Sequence, residues 1–262
     1  MLLDVWRLAV GTLTAIPVRP PGSVDRRRAG AAMVLAPIAV LPLGCAVTGV
    51  ALAGHWFELP AVVTALVALT IVILGNRAFH LDGLSDTVDG LAASYDRERS
   101  LVVMKSGTSG PAGVVAVVLV IGLQAAGLAS LFTLPDWWQA AILAGVAVCA
   151  SRAALVVCCA RGVRAARPDG LGHTYTQTVP RAVAVVVWVL VGVALAAAGT
   201  WAGLAWWSGP LAASLALACV LALVARAVRR FGGVTGDVFG AGVEIALAAM
   251  LVVLSSGVAR VG

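Results

Sequence analysis

Seven apolar segments constrain this chain more than anything else in it, since each reaches the roughly 20 residues that an α-helix needs to cross a bilayer. They run from Ala31 to Gly54, Pro60 to Phe79, Ala112 to Phe132, Trp138 to Ala160, Ala182 to Trp201, Leu204 to Ala225 and Val238 to Ala259. Their unbroken Val, Ala and Leu content lacks the short alternation of a membrane β-barrel. The expected fold is therefore all-α, a polytopic transmembrane helix bundle of about seven spans. Charge supports this: only 11% of the 262 residues are charged and 61% are hydrophobic, whereas about a quarter are charged in a soluble domain. Mean hydropathy is +1.02. Pro37 and Pro42 are expected to kink the first span, and the tight turn between the fifth and sixth makes them a hairpin. Ahead of the spans, Val5 to Val18 is apolar, holds Arg7, is too short to cross and lacks a small-residue cleavage site; it reads as an interfacial amphipathic helix.

The loops sort by charge. Arg7, Arg19, Arg26, Arg27 and Arg28 fall in one set with Arg97, Arg99 and Lys105, then Arg161, Arg164, Arg167 and Arg181, then Arg226, Arg229 and Arg230. The alternate loops, near His55, Asp136 and Gly203, carry no Lys or Arg. The positive-inside rule then puts the N-terminus and the basic loops in the cytoplasm and the C-terminus outside, with Arg260 alone opposing. The net charge of +6 thus reads as topology, and its dispersal argues against a nucleic-acid partner. Trp56, Trp137, Trp138, Trp201, Trp206 and Trp207 fall at outer span ends, as an interfacial belt does. The cysteines, Cys45, Cys149, Cys158, Cys159 and Cys219, lie in apolar runs without CxxC spacing and read as small apolar residues. With no repeat or linker, residues 1–262 read as one integral-membrane domain. Residues 1–30 form its interfacial N-terminal segment, and 80–111 and 161–181 its cytoplasmic active-site loops.

One run breaks the apolar pattern: His80-Leu81-Asp82-Gly83-Leu84-Ser85-Asp86-Thr87-Val88-Asp89-Gly90. On a helix, Asp82, Asp86 and Asp89 stand at i, i+4 and i+7 and share a face. Carboxylates so close repel, and a divalent cation converts the repulsion into binding; an all-oxygen set that keeps waters and takes further ligands from phosphate suits Mg²⁺. Directly after a span, acidic residues are more often functional than merely solvated. Lys105 precedes a glycine-rich entry to the third span, a plausible anion cradle without Walker order. Arg152 lies inside the fourth span, as a buried counter-ion or as a phosphate ligand. Asp237 opens the last span beside Thr235 and shares a helix face with Glu244. His80 is a candidate hydrogen-bonding partner, while His55 and His173 carry no site role. Acidic residues for a metal, cations for phosphate and no covalent nucleophile point to phosphoryl chemistry.

Four runs, FHLDGLSDTVDGL, SRA in the fourth span, ARPDGLG and GGVTGDVFGA, resemble in order and spacing the cobalamin synthase family, adenosylcobinamide-GDP ribazoletransferase. The likeness extends from LTAIPV near the N-terminus to the last span. It implies a Mg²⁺-dependent multi-pass enzyme of the inner membrane, with its site facing the cytoplasm. Such an enzyme joins adenosylcobinamide-GDP to α-ribazole or its 5′-phosphate and releases GMP. The resemblance matches Asp82, Asp86 and Asp89 to the family's DGxxDxxDG run and Asp237 to its GGxTGD run, as catalytic and metal-binding residues. His80, Lys105, Arg152, Arg167 and Thr235 complete the set as candidate substrate-binding residues, and a homo-oligomer is compatible with the sequence. The chain departs from the family after Lys105, where Ser106, Gly107 and Thr108 replace its frequent Asp-Ser-Arg. Two alternatives are a CDP-alcohol phosphotransferase, whose DG-x-x-A-R opening is absent, and a secondary transporter working through Asp237, Glu244 and Arg152.

Overall fold

The computed structural model describes residues 2–258, all in helices and their connections apart from two isolated bridges; Arg260 and the expected end of the last span at Ala259 lie outside the described residues. Helix α1 (Leu2–Leu13) buries Val5, Leu8, Ala9 and Leu13, and at 1.5 Å per residue it is too short to span. It packs on α2 (Arg26–Val34) and α3 (Ala36–Ala39). Asp25 caps α2 by accepting from the Arg28 N–H at 2.8 Å. Pro37 and Pro42 stand in the first turns of α3 and of α4 (Leu41–Trp56). The first expected span is therefore three pieces, because a proline ends the helix before it and starts the one after it.

Helix α5 (Ala61–Gly75) stops short of the expected Phe79. Arg77 and Ala78 follow with φ of 61° and 57°, a left-handed pair that non-glycine residues adopt only at a cost. Arg77 is held there by donating to the Gly11 carbonyl at 3.0 Å. The chain leaves this bend as α6 (Phe79–Ala93), turned 87° from α5. Next come α7 (Arg97–Val103), α8 (Pro111–Leu131), α9 (Trp137–Ser151), α10 (Ala154–Cys158) and α11 (Gly170–Tyr175). Helices α12 (Arg181–Trp201), α13 (Ser208–Phe231) and α14 (Gly236–Val258) complete the chain. Residues 80–111, expected as a loop, are thus largely helical, because Leu81 and Leu84 bury themselves with Ala241 of α14. Residues 161–181 hold only the short α11.

Helices α8, α9 with α10, α12, α13 and α14 are each long and apolar enough to cross a bilayer. The shorter apolar α4 and α5, of 16 and 15 residues, bring the expected number to about seven, and α6 turns off at the end of α5. The two central spans are α9–α10 and α14, with 89% and 83% of their apolar windows buried, against 28% for α8 and α12. At one end of the bundle His55 stacks on Trp137 at 4.1 Å and Trp138 meets Trp201 edge-on at 4.7 Å, so the loops without Lys or Arg gather there. The basic loops gather at the opposite, charged end. There Arg97 donates to the Ala166 carbonyl at 2.8 Å, and Arg230 donates to the Leu91 and Ser94 carbonyls and lies over the Tyr95 ring. The cysteines are free, as expected of small apolar residues.

Candidate active site

The acidic helix sits where it does because glycines on it and on α14 allow a close approach. A Cβ on Gly83 would lie 2.6 Å from the Asp237 carbonyl, and one on Gly240 would lie 2.9 Å from the His80 backbone. Two glycines facing opposite ways thus let α6 and α14 touch backbone to backbone. That approach places the start of α14 beside the acidic face of α6. Thr235 fixes the junction, donating to Asp237 Oδ2 at 3.0 Å and accepting a longer bond from the Val238 N–H at 3.4 Å.

The three carboxylates of α6 share a face but not an environment: Asp82 is exposed, Asp86 half-buried and Asp89 buried. Asp89 accepts from the N–H groups of Gly110 at 2.7 Å and Gly113 at 2.8 Å, one to each oxygen. It therefore caps α8, where free N–H groups and the helix dipole both favour an anion. Asp86 stays on the acidic face of α6, and its carboxyl is pushed up to about 6, first by partial burial and then by the charges of Asp82, Asp237 and Asp89, with Arg167 opposing.

The opposite wall comes from residues 164–172. Val234 N–H donates to the Arg164 carbonyl and Ala166 N–H to the Val234 carbonyl, both at 2.9 Å, so this segment runs beside the entry to α14. Arg167 donates to the Leu101 carbonyl at 2.6 Å and acts on both Asp86 and Asp237. Lys105 meets Asp169 at 3.0 Å, which holds the Asp169 carboxyl below its ordinary range. A cleft of about 180 Å³ separates the walls, lined by Phe79, Lys105, Arg167, Asp169, Thr235 and Asp237 among others. Asp237 on one wall and Arg167 with the Lys105–Asp169 pair on the other make it able to hold a metal-bound phosphate.

Three candidates do not reach this cleft: Asp89, expected as a metal ligand but with both oxygens taken by the start of α8, and His80 and Arg152. His80 is 2% exposed and Arg152 fully buried, and both belong to a polar cluster inside the bundle. His80 Nδ1 lies 3.4 Å from the Asn76 amide nitrogen and 3.8 Å from Glu244 Oε1. Burial first, then the charge of Arg152, pushes His80 down to about 3, so the ring is neutral and its contact with Glu244 is no ion pair. Gln124 donates to Glu244 Oε2 at 2.7 Å and to its carbonyl at 3.1 Å. Arg152 donates to the Val148 carbonyl at 2.7 Å and Ser151 Oγ at 2.9 Å, and Glu244 is a counter-charge to it. Of the two readings of Arg152, the counter-ion fits, but to Glu244 and not to the carboxylates of the cleft. Sequence reasoning passed over Gln124 and Asn76. Gln124 is the one amide side chain within the apolar α8, and Asn76 stands one helical turn before His80; both were visible signals.

Among the described residues, no three His, Cys, Asp or Glu side chains already stand close enough together to hold a metal. The cleft nonetheless carries an excess of carboxylate that raises Asp86, and this donor set fits a hard cation that completes its shell with water and phosphate.

Compared with known proteins, residues 5–255 match the profile of the cobalamin-5-phosphate synthase family. The chain belongs to that family. An adenosylcobinamide-GDP ribazoletransferase from a Nocardioides species is 56% identical over 249 residues, covering 95% of this chain and 96% of the relative. Relatives of the same name from Frankia casuarinae and Pseudomonas fluorescens are 35% and 33% identical, each over 97% of this chain and over 95% and 100% of their own length. No solved structure matches the chain. Membership in the cobalamin-5-phosphate synthase family favours neither the CDP-alcohol phosphotransferase nor the transporter.

Proposed function

We propose that this chain is the membrane transferase that joins adenosylcobinamide-GDP to α-ribazole or its 5′-phosphate and releases GMP. The observation that carries the chemistry is the acidic face of α6 set beside the cleft: Asp86 feels the charges of Asp82, Asp237 and Arg167, and the cleft itself is lined by Asp237, Arg167 and the Lys105–Asp169 pair at the charged end of a multi-pass bundle. The positive-inside rule turns that end to the cytoplasm, in the inner membrane.

Mg²⁺ held by Asp82, Asp86 and Asp237 supplies charge neutralisation and orientation for a diphosphate. The chain's own residues do the rest. Arg167 and Lys105 bind phosphate oxygens from the opposite wall. A carboxylate of this cluster that is left off the metal takes the proton of the attacking ribazole hydroxyl. A bond forms from that oxygen to the phosphorus bearing cobinamide, and the bond from this phosphorus to the bridging oxygen breaks, so GMP departs with the electron pair. Thr235 holds Asp237 in place, and Asp89 fixes α6 against α8 from behind.

The test follows corrinoid conversion and GMP release by the full chain in vesicles, with and without Mg²⁺. Stoichiometric GMP and product that require both Mg²⁺ and the acceptor bear out the reading. CMP release from CDP-diacylglycerol, or uptake without conversion, would replace it.

A further inference from the structure

Away from the cleft, two grooves of similar size run down the flank of the bundle, and they differ in charge. One, of about 750 Å³ between α4, α9 and α12, is lined by no charged residue. The other, of about 720 Å³ between α12 and α13, has Arg161 and Arg181 among its lining at the charged end. Its length is otherwise apolar, and α12 beside it presents Val185, Val189 and Val193 at about 60% exposure, so it opens toward lipid. Both arginines are exposed, and among the described residues neither has a carboxylate within ion-pair distance. Arg181 Nε donates to the Arg161 carbonyl at 2.9 Å, which ties the two together. Two turns into the membrane on the same face of α12, Trp188 lines the groove, is 6% exposed, and its indole N–H has no partner.

We propose that this groove binds an anionic phospholipid of the leaflet at the charged end, its phosphate between Arg161 and Arg181. Basic pockets between membrane helices are suited to anionic headgroups, and the apolar wall below them suits acyl chains. The indole N–H of Trp188 lies about 10 Å below Arg181 along the helix, in the zone of the ester carbonyls, which are acceptors. A free phosphate would gain only the arginines and nothing from the rest of the groove. Arg161 opens the segment that continues to Arg167 in the cleft, so a bound headgroup also steadies the start of that wall. The reading stands apart from the proposed activity, and its test reads lipid and not turnover.

The full chain is purified from bilayers holding equal phosphatidylcholine and phosphatidylglycerol, and retained lipid is counted by native mass spectrometry. One phosphatidylglycerol per chain is expected, in preference to phosphatidylcholine. R161Q/R181Q is expected to lower its retention on the order of 30-fold, and R161Q alone, at an exposed side chain, about fivefold. W188F, which removes the indole N–H together with one ring of the bicycle, is expected to lower it about threefold. R226Q/R229Q loses the same charge at exposed sites off the groove and is expected to retain the lipid. Equal retention of the two lipids, equal loss in both double variants, displacement by excess inorganic phosphate, or a lipid-free dimer as the retained species would each overturn the proposal. If the double variant fails to fold, R161Q and the preference of the unaltered chain decide it.

Discussion

At the charged end, Asp82, Asp86 and Asp237 crowd together at the edge of a cleft, where Arg167 opposes their charge and Lys105 is taken up by Asp169. Two turns further along α14, Glu244 is 4% exposed and bonded twice to Gln124, with neutral His80 and Arg152 beside it. The same two helices, α6 and α14, carry both clusters. In the second, Gln124 bonds Glu244 across α8 and α14 and Arg152 bonds Val148 and Ser151, which holds these helices together, while Arg152 Nε and Nη2 and Asn76 Oδ1 keep no hydrogen-bond partner and Glu244 offsets the arginine by charge alone. In the first, like charges are left in excess, which destabilises the empty site and favours a cation and a phosphate. Chemistry therefore belongs to the unbalanced cluster and stability to the balanced one.

Variants of the two clusters test that division. Changing Asp82, Asp86 or Asp237 to Asn is expected to lower GMP release about 10³-fold while the protein inserts and melts normally; retention of activity in all three would break the comparison. Glu244→Ala strands Gln124 and Arg152 and is expected to cost about 3 kcal/mol, read by thermal unfolding in detergent, with the folded fraction still active. Asp89→Asn keeps only one of two acceptors for the start of α8; a loss of about 1–2 kcal/mol, and a smaller drop in rate than at Asp86, would sharpen the division within α6 itself. Since Asp86 must be ionised to bind a cation, Mn²⁺ binding to the empty site is expected to weaken as pH falls through about 6, and weakening only near an ordinary carboxylate value of about 4 would remove Asp86 from the site. The smallest effect is expected from Lys105→Ala, which leaves the melting temperature unchanged because its partner is exposed, and raises KM for the diphosphate substrate about tenfold.

Much of this was legible in the chain. The i, i+4, i+7 spacing put three aspartates on one helical face, Pro37 and Pro42 marked the breaks in the first span, and alternate loops announced which end is charged. Other features were not legible, because they depend on contacts distant in sequence. Asp89 leaves the cleft only because Gly110 and Gly113, more than twenty residues on, present it with free N–H groups. The bend at Arg77 and Ala78 carries no glycine or proline; it is imposed from outside by α1 through Gly11. His80 reads as part of the acidic run, yet its place one turn after Asn76 and against α14 turns it inward. Arg152 was recognised as a buried cation, but its counter-charge lies in another span.

The measurement that bears most directly on the account is Mn²⁺ binding, followed by electron paramagnetic resonance as a surrogate for Mg²⁺ on the full chain in vesicles. An immobilised Mn²⁺ signal is predicted for the unaltered chain, Asp89→Asn and Glu244→Gln, with binding weakened at least about tenfold in Asp82→Asn, Asp86→Asn and Asp237→Asn. Binding that survives those three changes, or that vanishes instead with Glu244, would contradict it.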